Sequence, residues 1–189
     1  MVGIDESADE DATLVRRARD GDRLAFAALV RRHQADAVRL ATAITGDRCE
    51  AEDATQTAFV KAHAALVRFE VHRPFRPWLL RIVANEAKNR RRATTRRERR
   101  EGQVSLFRIG PGLSLEEEAI RSLDAAELLR AFRALDHRDR LVLGYRWFAQ
   151  LTEAEIALAL GCATGTAKSR LSRAMKRLRA ELEGNARHV

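Results

Sequence analysis

The sequence predicts an all-α protein: two small helical domains joined by a flexible linker, the C-terminal one a helix-turn-helix. Composition is the first observation. Aromatics make up 5% of the 189 residues and there are three prolines, while β-branched residues are sparse beside Ala, Leu, Arg and Glu, which suit helices. The second is punctuation: Asp, Ser or Thr precedes the apolar-periodic runs and Gly ends several of them, as capped helices require. The third is LTEAEIALALGCATGTAKSRLSRAMKRLR at 151–179, which reads as two helices around a tight turn. On this reading, residues 1–10 are a disordered acidic tail. Residues 11–100 form the first domain, 101–113 the linker, 114–183 the second domain and 184–189 a fraying tail.

The bulk properties narrow the function classes. A net charge of +8 and an isoelectric point near 10.6 call for a polyanionic partner. Cys49 and Cys162 lie far apart outside any CxxC, and the five histidines lack metal spacing. No metal site, cofactor or disulfide framework is expected, and a reducing cytoplasmic compartment is. The first dozen residues carry Asp5, Glu6, Asp9, Glu10 and Asp11 with no cation, the wrong composition for a signal peptide. No run approaches the ~20 apolar residues of a membrane span, so no membrane insertion is expected.

The elements follow in order. A short helix is predicted from Ala12 to Arg19 and broken by Asp20-Gly21. Asp22 caps a long helix to about Thr45, whose apolar face takes Leu24, Phe26, Leu29, Val30, Val38, Leu40, Ala41 and Ile44; Gly46 ends it. Asp47 caps the next helix with Glu50 at the capping-box position, and Ala58, Phe59, Ala62, Leu66 and Phe69 make its buried stripe. Glu52, Asp53 and Gln56 lie on the polar side. Acids early in a helix complement its dipole, and from the residues alone that is the favoured reading of Glu52 and Asp53.

Residues 70–76 read as a loop, since prolines at 74 and 77 disfavour helix just before them. Pro77 opens a helix that packs Trp78, Leu79, Ile82 and Val83 inward. Beyond Ala84, Asn85, Lys88, Asn89 and Arg92 share one face at i, i+3, i+4 and i+7. Asn is a poor interior helix residue, so paired amides ringed by cations point to an external hydrogen-bonding partner such as base edges; the alternative is a solvated face. From Lys88 to Glu101 there are eight basic residues and two acids, a block that suits a flexible nucleic-acid arm. GQVSLFRIGPGL at 102–113 is a linker, with Leu106, Phe107 and Ile109 available for packing.

Ser114, with Glu117, opens a helix to about Leu135 that buries Leu115, Ile120, Leu123, Leu128, Leu129 and Phe132. Asp136 caps the next, which buries Leu141, Val142, Leu143 and part of Tyr145, Trp147 and Phe148. Thr152 and Glu155 form a capping box on a helix whose apolar side is Ile156, Leu158 and Leu160. Gly161 ends it, and Thr164 is a cap for the last helix. At about 100° per residue, Ala167, Leu171, Ala174 and Leu178 form one stripe of that helix. Gly165, Ser169, Ser172 and Lys176 point the opposite way, with Lys168 and Arg173 on the flanks. Small hydroxyls flanked by cations suit a DNA major groove; the plain alternative is a solvated, Arg-rich face.

Three stretches together resemble the extracytoplasmic-function (ECF) class of the sigma-70 family: AEDATQTAFVKAH at 51–63, FRPWLLRIVANEAKNRRR at 75–92, and 151–179. The resemblance covers nearly all of residues 12–182, with Ala167 and Ala149-Gln150 departing from the Val and aromatic–Ser usual there. It implies an alternative sigma factor that directs core RNA polymerase to promoters and helps melt the −10 region. Glu52, Asp53 and Gln56 would dock on the clamp helices of the largest polymerase subunit, which reverses the dipole reading. Arg81, Asn85, Lys88, Asn89 and Arg92 would meet the −10 element, and the loop at 68–76 would receive a flipped non-template base by stacking and hydrogen bonding. Thr166, Lys168, Ser169, Ser172, Arg173 and Lys176 would read the −35 element as duplex, with Arg170, Arg177 and Arg179 on phosphates or the surface. Residues 102–113 would thread toward the active cleft. Partners are then core RNA polymerase, promoter DNA both duplex and single-stranded, and an anti-sigma factor. No catalytic residue and no enzymatic activity are expected, because acids stand at helix starts and histidines lack partners. The rivals are a stand-alone helix-turn-helix transcriptional regulator and an RNA-binding protein or nuclease.

Overall fold

The structure, a computed structural model, describes residues 6–101 and 123–186. Among the described residues there are eight α-helices: α1 Glu6–Arg19, α2 Arg23–Thr45, α3 Arg48–Ala65, α4 Phe75–Glu101, α5 Leu123–Ala134, α6 His137–Trp147, α7 Glu153–Leu160 and α8 Thr164–Ala186, with a 3-10 turn at Leu66–Arg68. Helices α1–α4 make the first domain and α5–α8 the second. The predicted linker, with Leu106, Phe107 and Ile109, lies outside the described residues, as do Ser114, Leu115, Glu117 and Ile120.

Local chemistry sets the helix ends. Asp22 accepts the Leu24 and Ala25 N–H groups, and Gly46 closes α2 with φ 77°. Asp47 accepts from Glu50 N–H, and Asp136 from Arg138 and Asp139. Thr152 and Glu155 make the reciprocal capping box, and Gly161 ends α7 at φ 64°, a left-handed conformation that glycine adopts without a Cβ penalty.

Several expectations are corrected. Residues 6–10 are helical rather than a disordered tail: α1 begins at Glu6, because Glu10 ion-pairs with Arg32 and Asp11 is buried against His33 at 2.8 Å. The basic block is the end of α4, not a flexible arm. Arg90 bonds Asp53 at 2.9 Å and Arg91 donates to the Thr45 carbonyl at 2.8 Å, so part of its charge is tied to α2 and α3. Glu50 reaches across to Arg90 and Thr94 instead of back to its own cap. The last helix begins on Thr164 itself, where the Ala163 carbonyl receives the Ala167 N–H at 3.1 Å. Leu24, Leu128 and Leu158 are exposed. In α7, Leu158 turns outward because a residue two along from Ile156 stands about 200° around the helix, while Ala157 and Ala159 flank Ile156 on the buried side.

One contiguous core joins the domains. Leu29, Leu40, Leu66, Leu79, Leu80 and Val83 fill the first, and Leu143, Tyr145, Leu151 and Ile156 the second. Small residues let the two approach: a Cβ on Gly144 of α6 would stand 3.2 Å from Leu40 Cδ1 of α2. Polar contacts flank that seam. Arg39 donates to the Phe148 carbonyl at 3.0 Å. Arg76 donates to the Ala149 carbonyl at 2.5 Å, pairs with Asp36 at 2.6 Å and stands 3.7 Å from Glu155. Gln150, at φ 50°, turns the chain where those two carbonyls face the first domain.

Candidate nucleic-acid and polymerase interfaces

The helix-turn-helix is α7 and α8. Ala167, Ala174 and Leu178 are buried, with Leu171 half-buried, so α8 is held by its apolar stripe. Thr166, Lys168, Ser169, Ser172, Arg173 and Lys176 are all exposed. The structure therefore brings these six residues to one outward side of α8. Two are parked on the helix itself: Ser169 Oγ donates to the Gly165 carbonyl at 2.9 Å, and Arg173 Nε to the Ser169 carbonyl at 3.2 Å. Arg177 instead ion-pairs with the buried Asp139, so it braces α8 on α6 rather than offering a free charge.

The second surface is on α4. Asn85, Asn89 and Arg92 are exposed and Lys88 half-buried. Asn85 and Asn89 make no side-chain hydrogen bond among the described residues, so their amides retain their recognition capacity. Asn85, Lys88 and Arg92 line a cleft of about 590 Å3 against α6, while Asn89 lies outside it. His137 forms part of the α6 wall, where partial burial and the Lys88 ammonium hold its imidazole below the usual value. Arg81 is exposed but leans on the turn of the helix-turn-helix: its Nη1 would stand 3.6 Å from a Cβ at Gly161.

The loop before α4 is bounded by aromatic residues. Phe69 and Phe75 are buried, with centroids 5.8 Å apart at 88°, and Trp78 packs 4.7 Å from Phe69. Phe69 and Phe75 belong to the core, and Trp78 packs against it half-buried. The loop exposes Arg68, Glu70, His72, Arg73 and Pro74, with Arg73 held to Glu70 at 2.8 Å.

The third surface is the groove between α2 and α3, about 810 Å3, lined by Phe26, Val30, Val38, Phe59 and Val60 with Glu52 and Gln56 at its polar edge. Asp53 does not line it; its carboxylate faces Arg90 of α4. Glu52 is bound to Arg48 at 2.7 Å. On the groove wall the Thr55 hydroxyl is buried without a hydrogen-bond partner. The sequence reading found the polar edge and missed the apolar floor. The signal was Val60, 67% exposed beside the buried Phe59, off the stripe that the helix period assigns to the core.

Among the described residues no group of His, Cys, Asp or Glu is placed to hold a metal ion, and no helix is long and apolar enough to cross a membrane.

Family models match in order along the chain: Sigma-70 region 2 over residues 29–97 and Sigma-70 region 4 over 131–180. Among curated relatives, RNA polymerase sigma factor NccH of Alcaligenes xylosoxydans xylosoxydans is 32% identical, covering 96% of this chain and 98% of that protein. The RNA polymerase sigma-H factor of Pseudomonas aeruginosa is 34% identical over 88% and 90%, and the ECF RNA polymerase sigma-E factor of Escherichia coli K12 33% over 87% and 90%. The solved structure of CnrH in complex with the cytosolic domain of CnrY matches with a TM-score of 0.71 at 28% identity, covering 93% of this chain and 98% of that one. With the region 2 match running from within α2 through most of α4, the region 4 match from the end of α5 into α8, and relatives of this identity spanning nearly its whole length, the chain belongs to the sigma-70 family as an ECF RNA polymerase sigma factor, an alternative sigma factor for promoter-specific transcription.

Proposed function

We propose that the three surfaces divide the work of initiation. The α2–α3 groove, with Glu52 and Gln56 at its edge, docks on the clamp helices of the largest subunit of core RNA polymerase. Asp53 contributes at the flank, in competition with Arg90. The outward side of α8 lies in the −35 major groove: Ser169 and Ser172 meet base edges, Lys168, Arg173 and Lys176 meet guanines or phosphates, and Thr166 approaches the groove from the first turn. Asn85, Asn89, Lys88, Arg92 and Arg81 meet the −10 element. Melting proceeds by capture of unpaired bases rather than by bond-making, and it must offset stacking of about 1.4 kcal/mol per step. The buried Phe69 and Phe75 leave that capture to polar and cationic groups of the 70–74 loop. The chain works in the cytoplasm, has no catalytic activity of its own, and is restrained by an anti-sigma factor. CnrH, its structural neighbour, was solved bound to the cytosolic domain of CnrY.

The single observation that carries this reading is the pair of unengaged, exposed asparagine amides on α4, in the same molecule as a fully exposed polar side of α8. The test is transcript-start sequencing with purified core polymerase, this protein and a promoter library. Starts at a shared −35/−10 motif support the reading. Tight, specific promoter binding by the protein alone, with no starts directed by the holoenzyme, would refute it in favour of a stand-alone regulator.

A further inference from the structure

Helical threonines in the first domain share one habit. Thr13 of α1, Thr42 and Thr45 of α2 and Thr57 of α3 each donate to the carbonyl four residues back, at 2.9–3.1 Å. Such back-bonding is the usual resort of a hydroxyl inside a helix. Thr55 of α3 does otherwise. It is 5% exposed, and its hydroxyl has no hydrogen-bond partner among the described residues. Thr55 lines the α2–α3 groove together with Glu52 and Phe59, and the spacing of 52, 55 and 59 places all three on one face of α3. A buried hydroxyl without a partner is destabilising, and valine has the same shape without that penalty. Folding alone therefore does not call for threonine here.

The permanently charged residues that line the groove are already engaged. Glu52 is bound to Arg48 at 2.7 Å, and Arg39 pairs with Asp36 and donates to the Phe148 carbonyl. His63 lies edge-on to Phe26, with ring centroids 4.6 Å apart. Much of the remaining lining is apolar: Val30, Val38, Phe59 and Val60. A charge brought among these residues loses its hydration without a counter-ion waiting for it, so the group that suits Thr55 is neutral.

We infer that the Thr55 hydroxyl is a specificity-determining contact for polymerase docking: it hydrogen-bonds a neutral polar side chain, a carboxamide or a hydroxyl, that the docking helix inserts among its apolar residues. The inference rests on the proposed docking of this groove on the polymerase clamp helices. Apolar contacts give affinity but little register, because a helix can slide or turn along them; one buried polar pair fixes its position. A helix that offers only apolar residues covers the hydroxyl and leaves it unpaired, and so is disfavoured as a partner.

The test uses the full chain and purified core polymerase, with equilibrium binding and urea unfolding of the free protein measured for each variant. Thr55→Val weakens polymerase binding by roughly fivefold, as expected for one neutral hydrogen bond, while the urea midpoint of the free protein is unchanged or raised. Thr55→Ser keeps the hydroxyl and retains most of the affinity. Val60→Asp reports on the groove itself and abolishes binding. In double-mutant cycles with the polar residues of the clamp helices, Thr55→Val couples to one Asn, Gln, Ser or Thr. If Val60→Asp disrupts binding and Thr55→Val does not, the groove reading stands and the inference falls. If neither disrupts it, docking through this groove falls as well. A lowered urea midpoint in Thr55→Val shows that the hydroxyl has an internal partner in the free chain, and it overturns the inference. So does an equal loss in Thr55→Ser and Thr55→Val, or coupling to a charged residue of the clamp helices.

Discussion

Arg76→Ala tests how the two domains are held. Arg76 makes two kinds of contact that count differently. Its bonds to Asp36, at 2.9 and 2.6 Å, lie within the first domain and persist whether the domains touch or not, so they cancel from the closing equilibrium. The hydrogen bond to the Ala149 carbonyl at 2.5 Å and the Glu155 carboxylate at 3.7 Å exist only in the packed state. A charge-assisted bond of this kind contributes about 1.5–3 kcal/mol, and a partly exposed ion pair about 0.5 kcal/mol. A freed carbonyl regains water on separation, so the lower half of that range applies. A loss of about 2 kcal/mol shifts the closed-to-open ratio roughly thirtyfold. Arg39, bonded to the Phe148 carbonyl, remains and keeps some molecules closed. The assay is a spin-label distance distribution between Cys49 of α3 and A180C of α8, in a C162S background. Arg73→Ala is the control, because Arg73 pairs with Glu70 in its own loop. An Arg76→Ala distribution that matches the parent, or a change of equal size in Arg73→Ala, refutes the reasoning that these carbonyl bonds hold the domains.

Three further predictions follow from single sites. Thr152→Ala removes the capping box of α7 and lowers stability by about 1 kcal/mol, read as a lower urea midpoint with an unchanged slope. Asn85→Ala with Asn89→Ala abolishes productive starts while leaving the melting temperature within a degree or two, because both side chains are exposed and unengaged; unchanged transcription removes the −10 assignment of that face. Part of the acid sensitivity comes from Asp136, whose pKa is lowered from 3.8 chiefly by the Asp139 N–H bond and further by the Arg138 N–H. A carboxylate lowered by folding binds fewer protons in the native state. Its stabilisation is therefore complete above pH 3.8 and is lost as pH falls through the lowered value. Asp136→Asn flattens that limb of the stability–pH curve.

Much of the fold is legible because helix ends are local chemistry. Asp22, Asp47, Asp136 and Thr152 cap where one side chain and two or three N–H groups decide the matter, and Gly46 and Gly161 end helices at positive φ. The faces of α8 are legible for the same reason, since the period alone separates Ala167, Ala174 and Leu178 from Ser169 and Ser172. What escapes is whatever depends on a partner element. Leu158 alternates with Ile156 and Leu160 at a spacing of two, which a helix places on opposite sides. Phe75 stands in a polar loop, and only its packing with Phe69 and Trp78 shows it to be core. The charge of residues 88–101 argues against helix until Arg90 and Arg91 find Asp53 and the Thr45 carbonyl. Arg39 and Arg76 read as ordinary surface cations because their acceptors are main-chain carbonyls more than seventy residues away, which no side-chain pattern reveals. At the α2–α3 groove, periodicity marks Val60 as off the core stripe, yet it cannot say that Phe26 and Val30 of α2 stand across from it.

The buried pairing of Asp11 with His33 bears on where this chain can be cut. Arg32 Nε also lies 3.1 Å from the Asp11 carboxylate, at ion-pair distance but without hydrogen-bond geometry, and the His33 ring packs 5.6 Å from Phe75 at the start of α4. The amino-terminal segment thus reaches, through one histidine and one phenylalanine, the start of α4. A recombinant version trimmed to begin at Ala12 leaves His33 without its carboxylate in the interior. The minimal autonomous unit therefore starts ahead of Asp11, and fusion partners belong beyond Glu6 with a spacer that leaves α1 free to dock.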